Sequence, residues 1–233
     1  MSLRELALFA GAGGGILGGK LLGWQTVCAV ENEPYARDVL MARQNDGCLE
    51  AFPIWDDVRT FDGRPWRGRV DVVSGGFPCR PFSTASRGRR TATDLWPEMW
   101  RIINEVRPRF VFAENVQRNP IEDAARMLRN EYRSVEFAEV SAAAMGAPHH
   151  RSRWWVLADS DGHSERIRTL NEKAPSVQGF AERIWPTPGA EVLGNDDGVA
   201  HRMDRLKCIG NGQVPAVAAL AWKTLIERLS ASN

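Results

Sequence analysis

The chain has 233 residues, 43% of them hydrophobic and 25% charged, which is ordinary globular composition with room for one domain, a sizeable core and a small insertion. A net charge of +1 excludes nucleic-acid binding through the global field, so any anionic partner must be held by local basic clusters. Cys28, Cys48, Cys79 and Cys208 are widely spaced and form no CxxC pair, which signals neither a zinc site nor a dithiol redox site; no metal is expected.

Cys28, Cys48 and Cys208 read as reduced, mostly buried thiols of a cytosolic protein. The run from Leu6 to Leu22 is too glycine-rich for a signal peptide core. No unbroken apolar stretch is long enough to span a membrane, so a soluble, cytoplasmic protein is expected.

Glu5-Leu6-Ala7-Leu8-Phe9 reads as a first strand. It runs into Ala10-Gly11-Ala12-Gly13-Gly14-Gly15, and a helix follows from Ile16 to Leu22. Strand, glycine turn and helix together make a cradle for phosphate or carboxylate: glycines let backbone approach a ligand, and the helix start offers free N–H groups. The spacing lacks the third glycine of the dinucleotide fingerprint. A second strand, Thr26 to Val30, ends at Glu31, about 20 residues past the glycines. An acid there holds a ribose diol or is a solvated strand-end charge. Pro34 to Arg43 reads as a helix with proline in its first turn. In Trp55-Asp56-Asp57-Val58 one acid faces an adenine amino group or the stretch is a plain turn.

Val70 to Ser74 is a short β-branched run that reads as a buried strand. It leads into Gly75-Gly76-Phe77-Pro78-Cys79-Arg80-Pro81-Phe82-Ser83. A cysteine at the carboxyl end of a strand in an open α/β sheet sits where such folds place ligands, and two prolines restrict the backbone that would aim it. The alternative is a buried cysteine in a tight turn. The small, polar segment that follows carries Arg87, Arg89 and Arg90. With so little net charge, these arginines point to phosphates rather than to a plain surface loop.

Leu95 to Val106 is helical in pattern, with Trp96, Met99, Trp100 and Ile103 on a core face. Arg109 to Ala113 is a buried strand ending at Glu114-Asn115-Val116. Ile121 to Asn130 reads as a helix, and Val135 to Val140 as a strand. Arg151-Ser152-Arg153 opens a strand through Ala158 and puts both arginines on one face. They are either an ion-paired structural pair or a binder of anions and base edges. From Asp159 to about Arg205 glycines and prolines break the pattern, as in a small irregular subdomain. Order returns at Gly210-Asn211-Gly212-Gln213-Val214-Pro215, followed by an apolar helix from Ala216 to Leu229.

Taken together and in this order, these motifs resemble the cytosine-C5 DNA methyltransferases across nearly the whole chain. The resemblance implies a doubly wound, mostly parallel α/β sheet of the Rossmann-like methyltransferase kind, closed by the C-terminal helix. It divides the chain into a catalytic domain of residues 1–158 plus 206–233 and a target-recognition insertion of residues 159–205. It implies that S-adenosylmethionine is held by Phe9, Gly11, Ala12, Gly13 and Gly14, by Glu31 and Asn32, by Asp57 and Val58, by Pro78, and by Asn211, Gln213 and Val214. Cys79 is then the nucleophile that adds to C6 of a flipped-out cytosine. Glu114 holds the exocyclic amine and N3, and Arg151 and Arg153 hold O2 or the adjacent phosphate. Arg80, Ser83, Arg87, Arg89 and Arg90 face double-stranded DNA.

Three positions depart from the family pattern: Arg80 after the cysteine, His149 before the paired arginines, and Asn32 after the ribose acid. The stretch between Arg153 and Gly210 is short for a target-recognition domain, which implies a short or relaxed sequence context, or recognition supplied by a partner protein. The chain is expected to be monomeric on its own and to work in the cytoplasm of a prokaryotic or phage-infected cell. The other readings are an RNA (tRNA) cytosine-C5 methyltransferase and a non-catalytic regulatory subunit.

Overall fold

A computed structural model of the chain describes residues 2–78, 94–145, 151–161 and 212–231. Its centre is a seven-stranded sheet in the order β3-β2-β1-β4-β5-β7-β6. The strands are β1 (Arg4–Leu8), β2 (Gln25–Val30), β3 (Ile54–Trp55), β4 (Val72–Gly76), β5 (Phe110–Asn115), β6 (Ser134–Ser141) and β7 (Ser152–Asp159). All neighbours from β3 to β5 pair in parallel, and β7 runs antiparallel to both β5 and β6. The mostly parallel, doubly wound α/β sheet expected from the motifs is therefore what the chain forms. β3 is the strand that the sequence pattern does not announce, because two residues carry no period.

Alternation along the strands fixes the two faces. Leu6, Leu8, Val73, Val111 and Val156 point one way, into a core closed by α3 (Trp96–Val106) and α4 (Arg118–Leu128). In α3 the buried residues Trp96, Met99, Ile102, Ile103 and Val106 recur at helical spacing, which makes one apolar stripe against the sheet. α4 starts three residues earlier than the apolar pattern suggests; Pro120 fits in its first turn, where an N–H has no intrahelical partner.

The opposite face carries α1 (Gly14–Leu21), α2 (Pro34–Asn45) and α5 (Pro215–Ala231). Ala7 and Ala29 meet Ile16 of α1 and Leu40 of α2, while Val72, Phe110, Phe112 and Trp155 meet α5. α1 begins inside the glycine run, although glycine costs a helix about 1 kcal/mol per residue relative to alanine. The reason is packing: a Cβ on Gly14 would lie 2.0 Å from the carbonyl oxygen of Gln213, and one on Gly18 2.9 Å from the Ala218 Cβ. Only a bare backbone lets the two helices come this close.

Beneath α5 lies an aromatic group. Trp24 and Trp222 meet edge to face with centroids 4.6 Å apart, and Phe112 stacks on Trp155 at 4.9 Å. The indole N–H groups of Trp24, Trp155 and Trp222 are buried and have no acceptor among the described residues. A charged residue of β1 is set into the same face. Glu5 in β1 is 1% exposed and accepts the hydroxyl protons of Thr26 (2.7 Å) and Ser74 (2.6 Å), tying β1 to both its neighbours. Burial pushes its carboxyl above the ordinary range, with the two hydroxyls opposing.

Candidate active site

The carboxyl ends of β1, β2, β4 and β5 converge on one crevice, the usual ligand position of an open α/β sheet. At β1 the chain leaves the strand through Phe9, whose φ of 52° is left-handed, a conformation that costs a bulky residue roughly 1–2 kcal/mol. Gly11 (φ 54°) and Gly13 (φ 89°) continue the turn, and Gly13 closes it by donating to the Ala10 carbonyl at 3.0 Å. The turn is held from below. Ala10 donates to the Val30 carbonyl, and Gly11 N–H donates to Oε2 of Glu31 at 2.6 Å. The other oxygen, Oε1, accepts from Glu33 N–H at 2.7 Å. Glu31 is thus a built part of the loop rather than a free strand-end charge.

The other residues expected at the cofactor divide. Asn32 is exposed and donates its amide to the Asp56 carbonyl. Both carboxylate oxygens of Asp57 accept from Arg59, and Val58 is 4% exposed with its side chain in the core. So neither side chain of the expected adenine pair stands free. The Asp-x-Arg spacing was the available signal for this pairing. Pro78 is exposed and its carbonyl accepts from Leu95, at the start of the α3 segment. Val214 packs beside α5 and accepts from Ala218. Cys79, Arg80, Ser83, Arg87, Arg89, Arg90, His149, Asn211 and nearly all of the 159–205 insertion lie outside the described residues.

Glu114, at the end of β5, is 6% exposed. Its Oε1 lies 3.1 Å from Nε of Arg153, close enough for an ion pair, yet no described donor is aligned on it as a hydrogen bond. Its Oε2 accepts from the Gln213 side-chain amide at 3.3 Å. Burial raises the Glu114 carboxyl above the usual range, opposed by Arg153, the Gln213 amide and Arg151. Arg151 donates to the Gly212 carbonyl. The strand direction explains the meeting: because β7 runs against β5, its first residues sit at β5's carboxyl end, where Glu114 pairs with Trp155 in register. Both arginines therefore face the carboxylate, and Arg153 is ion-paired with it, as the structural reading of the Arg-x-Arg pair expects. Asn115 fixes the neighbouring turn by donating to the Phe77 carbonyl at 2.9 Å.

Gly75 and Gly76 let this assembly close. A Cβ on Gly76 would lie 2.6 Å from Glu114 Oε2 and 3.1 Å from the Gln213 amide nitrogen. Phe9, Gly11, Gly15, Gly76, Glu114 and Gln213 all line a single pocket, so the glycine loop and the buried carboxylate open on the same space. Elsewhere, the buried Cys28 thiol is pushed up to about 12, as suits an inert core cysteine. Sequence reasoning missed the contact of Gln213 with Glu114, since 99 residues separate them.

A crevice of this kind, on a sheet with one reversed strand, defines a protein of the Rossmann-like methyltransferase class. Similar in structure is a chain described as a DNA modification methyltransferase encoded within an E. coli prophage. It aligns with a TM-score of 0.54 and 26% identity over 68% of this chain and 47% of that one. The family model for C-5 cytosine-specific DNA methylase matches residues 3–190. The chain belongs to that family. Among curated proteins it is 37% identical over 197 residues to the type II methyltransferase M.NgoMIV of Neisseria gonorrhoeae, covering 82% of this chain and 57% of the relative. It is 39% identical over 133 residues to M.PspPI of Psychrobacter sp. (strain TA137), covering 54% and 30%. The chain thus spans about half or less of the length of these relatives.

Proposed function

We propose that the protein transfers a methyl group from S-adenosylmethionine to C5 of a cytosine flipped out of double-stranded DNA, in a short or relaxed sequence context. The observation that carries this is Glu114: a buried carboxylate flanked by two arginines, with one oxygen lacking an aligned donor, opening on the pocket of the glycine loop. Cytosine needs such a group, because its N3 and exocyclic amine must be held and protonated as charge develops on the ring.

The residues present fit the cofactor. The strained Phe9 turn and the bare Gly11 leave backbone open to a ligand, and the fixed carboxylate of Glu31 at the end of β2 supports its reading as a ribose acceptor. Phe9, Gly11, Ala12, Gly13, Gly14 and Glu31 would hold it, with Pro78, Asn211, Gln213 and Val214 completing the site. Asn32, Asp57 and Val58 would contribute through backbone. When bound, S-adenosylmethionine supplies an electrophilic methyl group.

The protein's own residues do the rest. The Cys79 thiolate forms a bond to C6, which makes C5 electron-rich. Glu114 donates a proton toward N3 and accepts from the exocyclic amine. Arg153, with Arg151 behind it, holds O2 or the neighbouring phosphate. After C5 is methylated and its proton passes to a base, the C6–sulfur bond breaks and Cys79 is released. Arg80, Ser83, Arg87, Arg89 and Arg90 bind the DNA backbone around the flipped base. Residues 159–205 read the target, alone or with a partner protein. The bacterial relatives favour the cytoplasm of a prokaryotic or phage-infected cell, where the chain would work as a monomer.

Bisulfite sequencing of unmethylated duplex DNA after incubation with the protein and S-adenosylmethionine tests this. Protected cytosines in one short context are expected. Methylation of RNA but not DNA, or no transfer with cofactor bound, overturns it.

A further inference from the structure

Gln213 touches three things at once. Its amide nitrogen donates to Glu114 Oε2 at 3.3 Å. Its side-chain oxygen sits where a Cβ on Gly15 would come within 2.3 Å, and its backbone oxygen where a Cβ on Gly14 would come within 2.0 Å. Gly14 and Gly15 form the first turn of α1, directly after the glycine loop. Gly76, at the end of β4, closes the fourth side. The residue before it, Gly212, has its carbonyl held by Arg151. The glutamine is therefore wedged between the loop that would cradle a cofactor and the carboxylate that would receive a base. Gly15, Gly76, Glu114 and Gln213 line the same pocket. This one residue gives a shift at either end a packed route to the other.

We infer that Gln213 is a positioning residue that couples the glycine loop to Glu114, so that occupancy of the cofactor site sets the orientation of the carboxylate for the base. This rests on the function proposed above and adds a coupling to it: cofactor and base each favour the binding of the other. The charged groups facing Glu114 are Arg153 and Arg151, and Gln213 is the neutral one that can report on the loop without changing the charge balance. Coupling of this kind is reciprocal, so Glu114 must in turn affect cofactor affinity, and by this inference it does so through Gln213.

The experiment is a double-variant cycle read by calorimetry with S-adenosylhomocysteine, which requires no turnover. Glu114→Gln is expected to change the dissociation constant by about fivefold, the low end of typical couplings. In a Gln213→Met background, which keeps the volume and removes the amide, the same change is expected to shrink below twofold. Gln213→Asn, with the amide kept and the reach shortened, should behave like Gln213→Met and serves if that variant folds poorly. Equal effects of Glu114→Gln in both backgrounds, no effect in either, or no binding by the wild type overturn the coupling. Wild-type protein that binds S-adenosylhomocysteine yet methylates no DNA overturns the proposed function alone, and the cycle still decides the role of Gln213.

Discussion

The Gly11 N–H donates to a Glu31 oxygen at 2.6 Å, so the acid expected to receive the ribose also holds the loop that would receive the methionine part. Removing it should damage both. Glu31→Ala is expected to weaken S-adenosylhomocysteine binding by roughly 10- to 100-fold, since a hydrogen bond to a charged group contributes about 1.5–3 kcal/mol. Glu31→Gln keeps one acceptor and should lose less. Calorimetry checks both, and equal affinity for Glu31→Ala and wild type would remove Glu31 from the site.

Neighbouring glycines should fail in different ways. A Cβ on Gly75 would lie 2.5 Å from the Leu8 carbonyl oxygen, a backbone atom of the adjacent strand. Gly75→Ala should therefore cost stability, on the order of 1–3 kcal/mol as in other overpacked cores. A Cβ on Gly76 meets side chains of Glu114 and Gln213, which can move. Gly76→Ala should fold nearly as well and lose most of its methyl transfer. Denaturant unfolding beside a methyl-transfer assay separates the two, and matching profiles would contradict this assignment.

Cys79→Ser should abolish methyl transfer while DNA binding persists, because an alcohol is a far weaker nucleophile than a thiolate. Glu114→Gln should slow transfer strongly, since the amide cannot give N3 a proton. Tritiated methyl incorporation with a gel-shift control reads both. Normal turnover in either variant removes that residue from the mechanism.

Glu5 predicts a pH dependence of stability. Its folded carboxyl is raised by burial, so the unfolded chain releases this proton first as pH increases. Its stabilising effect is complete below the ordinary glutamate value and is lost as pH rises through the folded value. Wild-type thermal midpoints should decline with pH across that window, and Glu5→Gln should flatten the decline. An unchanged slope in the variant would show that Glu5 contributes no linkage.

The elements around the crevice were legible because each joins a strong strand pattern to a residue that strands dislike. Phe9 followed by glycines, Val73 followed by Gly75 and Gly76, and Ala113 followed by Glu114 all mark points where a buried run stops abruptly. Glu31 was legible as an acid at the right distance, but its bonds to Gly11 and Glu33 were not. What stayed hidden depends on contacts between distant parts of the chain. Glu5 looks like any charge at a strand's start until β2 and β4 bring Thr26 and Ser74 to it. α1 begins at Gly14 rather than Ile16, and its first turn has to be bare backbone because Gln213, some two hundred residues on and just before α5, packs against it. β3 is too short for any periodicity, and the pairing of Asp57 with Arg59 is a local contact that the resemblance does not announce.

The edge-to-face pair of Trp24 and Trp222 gives the molecule a built-in optical reporter. Trp222 belongs to α5, and Trp24 to the turn between α1 and β2, so the two indoles are within exciton-coupling distance only while the terminal helix is seated. Neither N–H has a described acceptor, and both rings are shielded from water, so their emission should be blue and their near-ultraviolet dichroism strong. Because the same helix carries Gln213 at its entrance, that optical signal follows the docking on which the whole crevice depends.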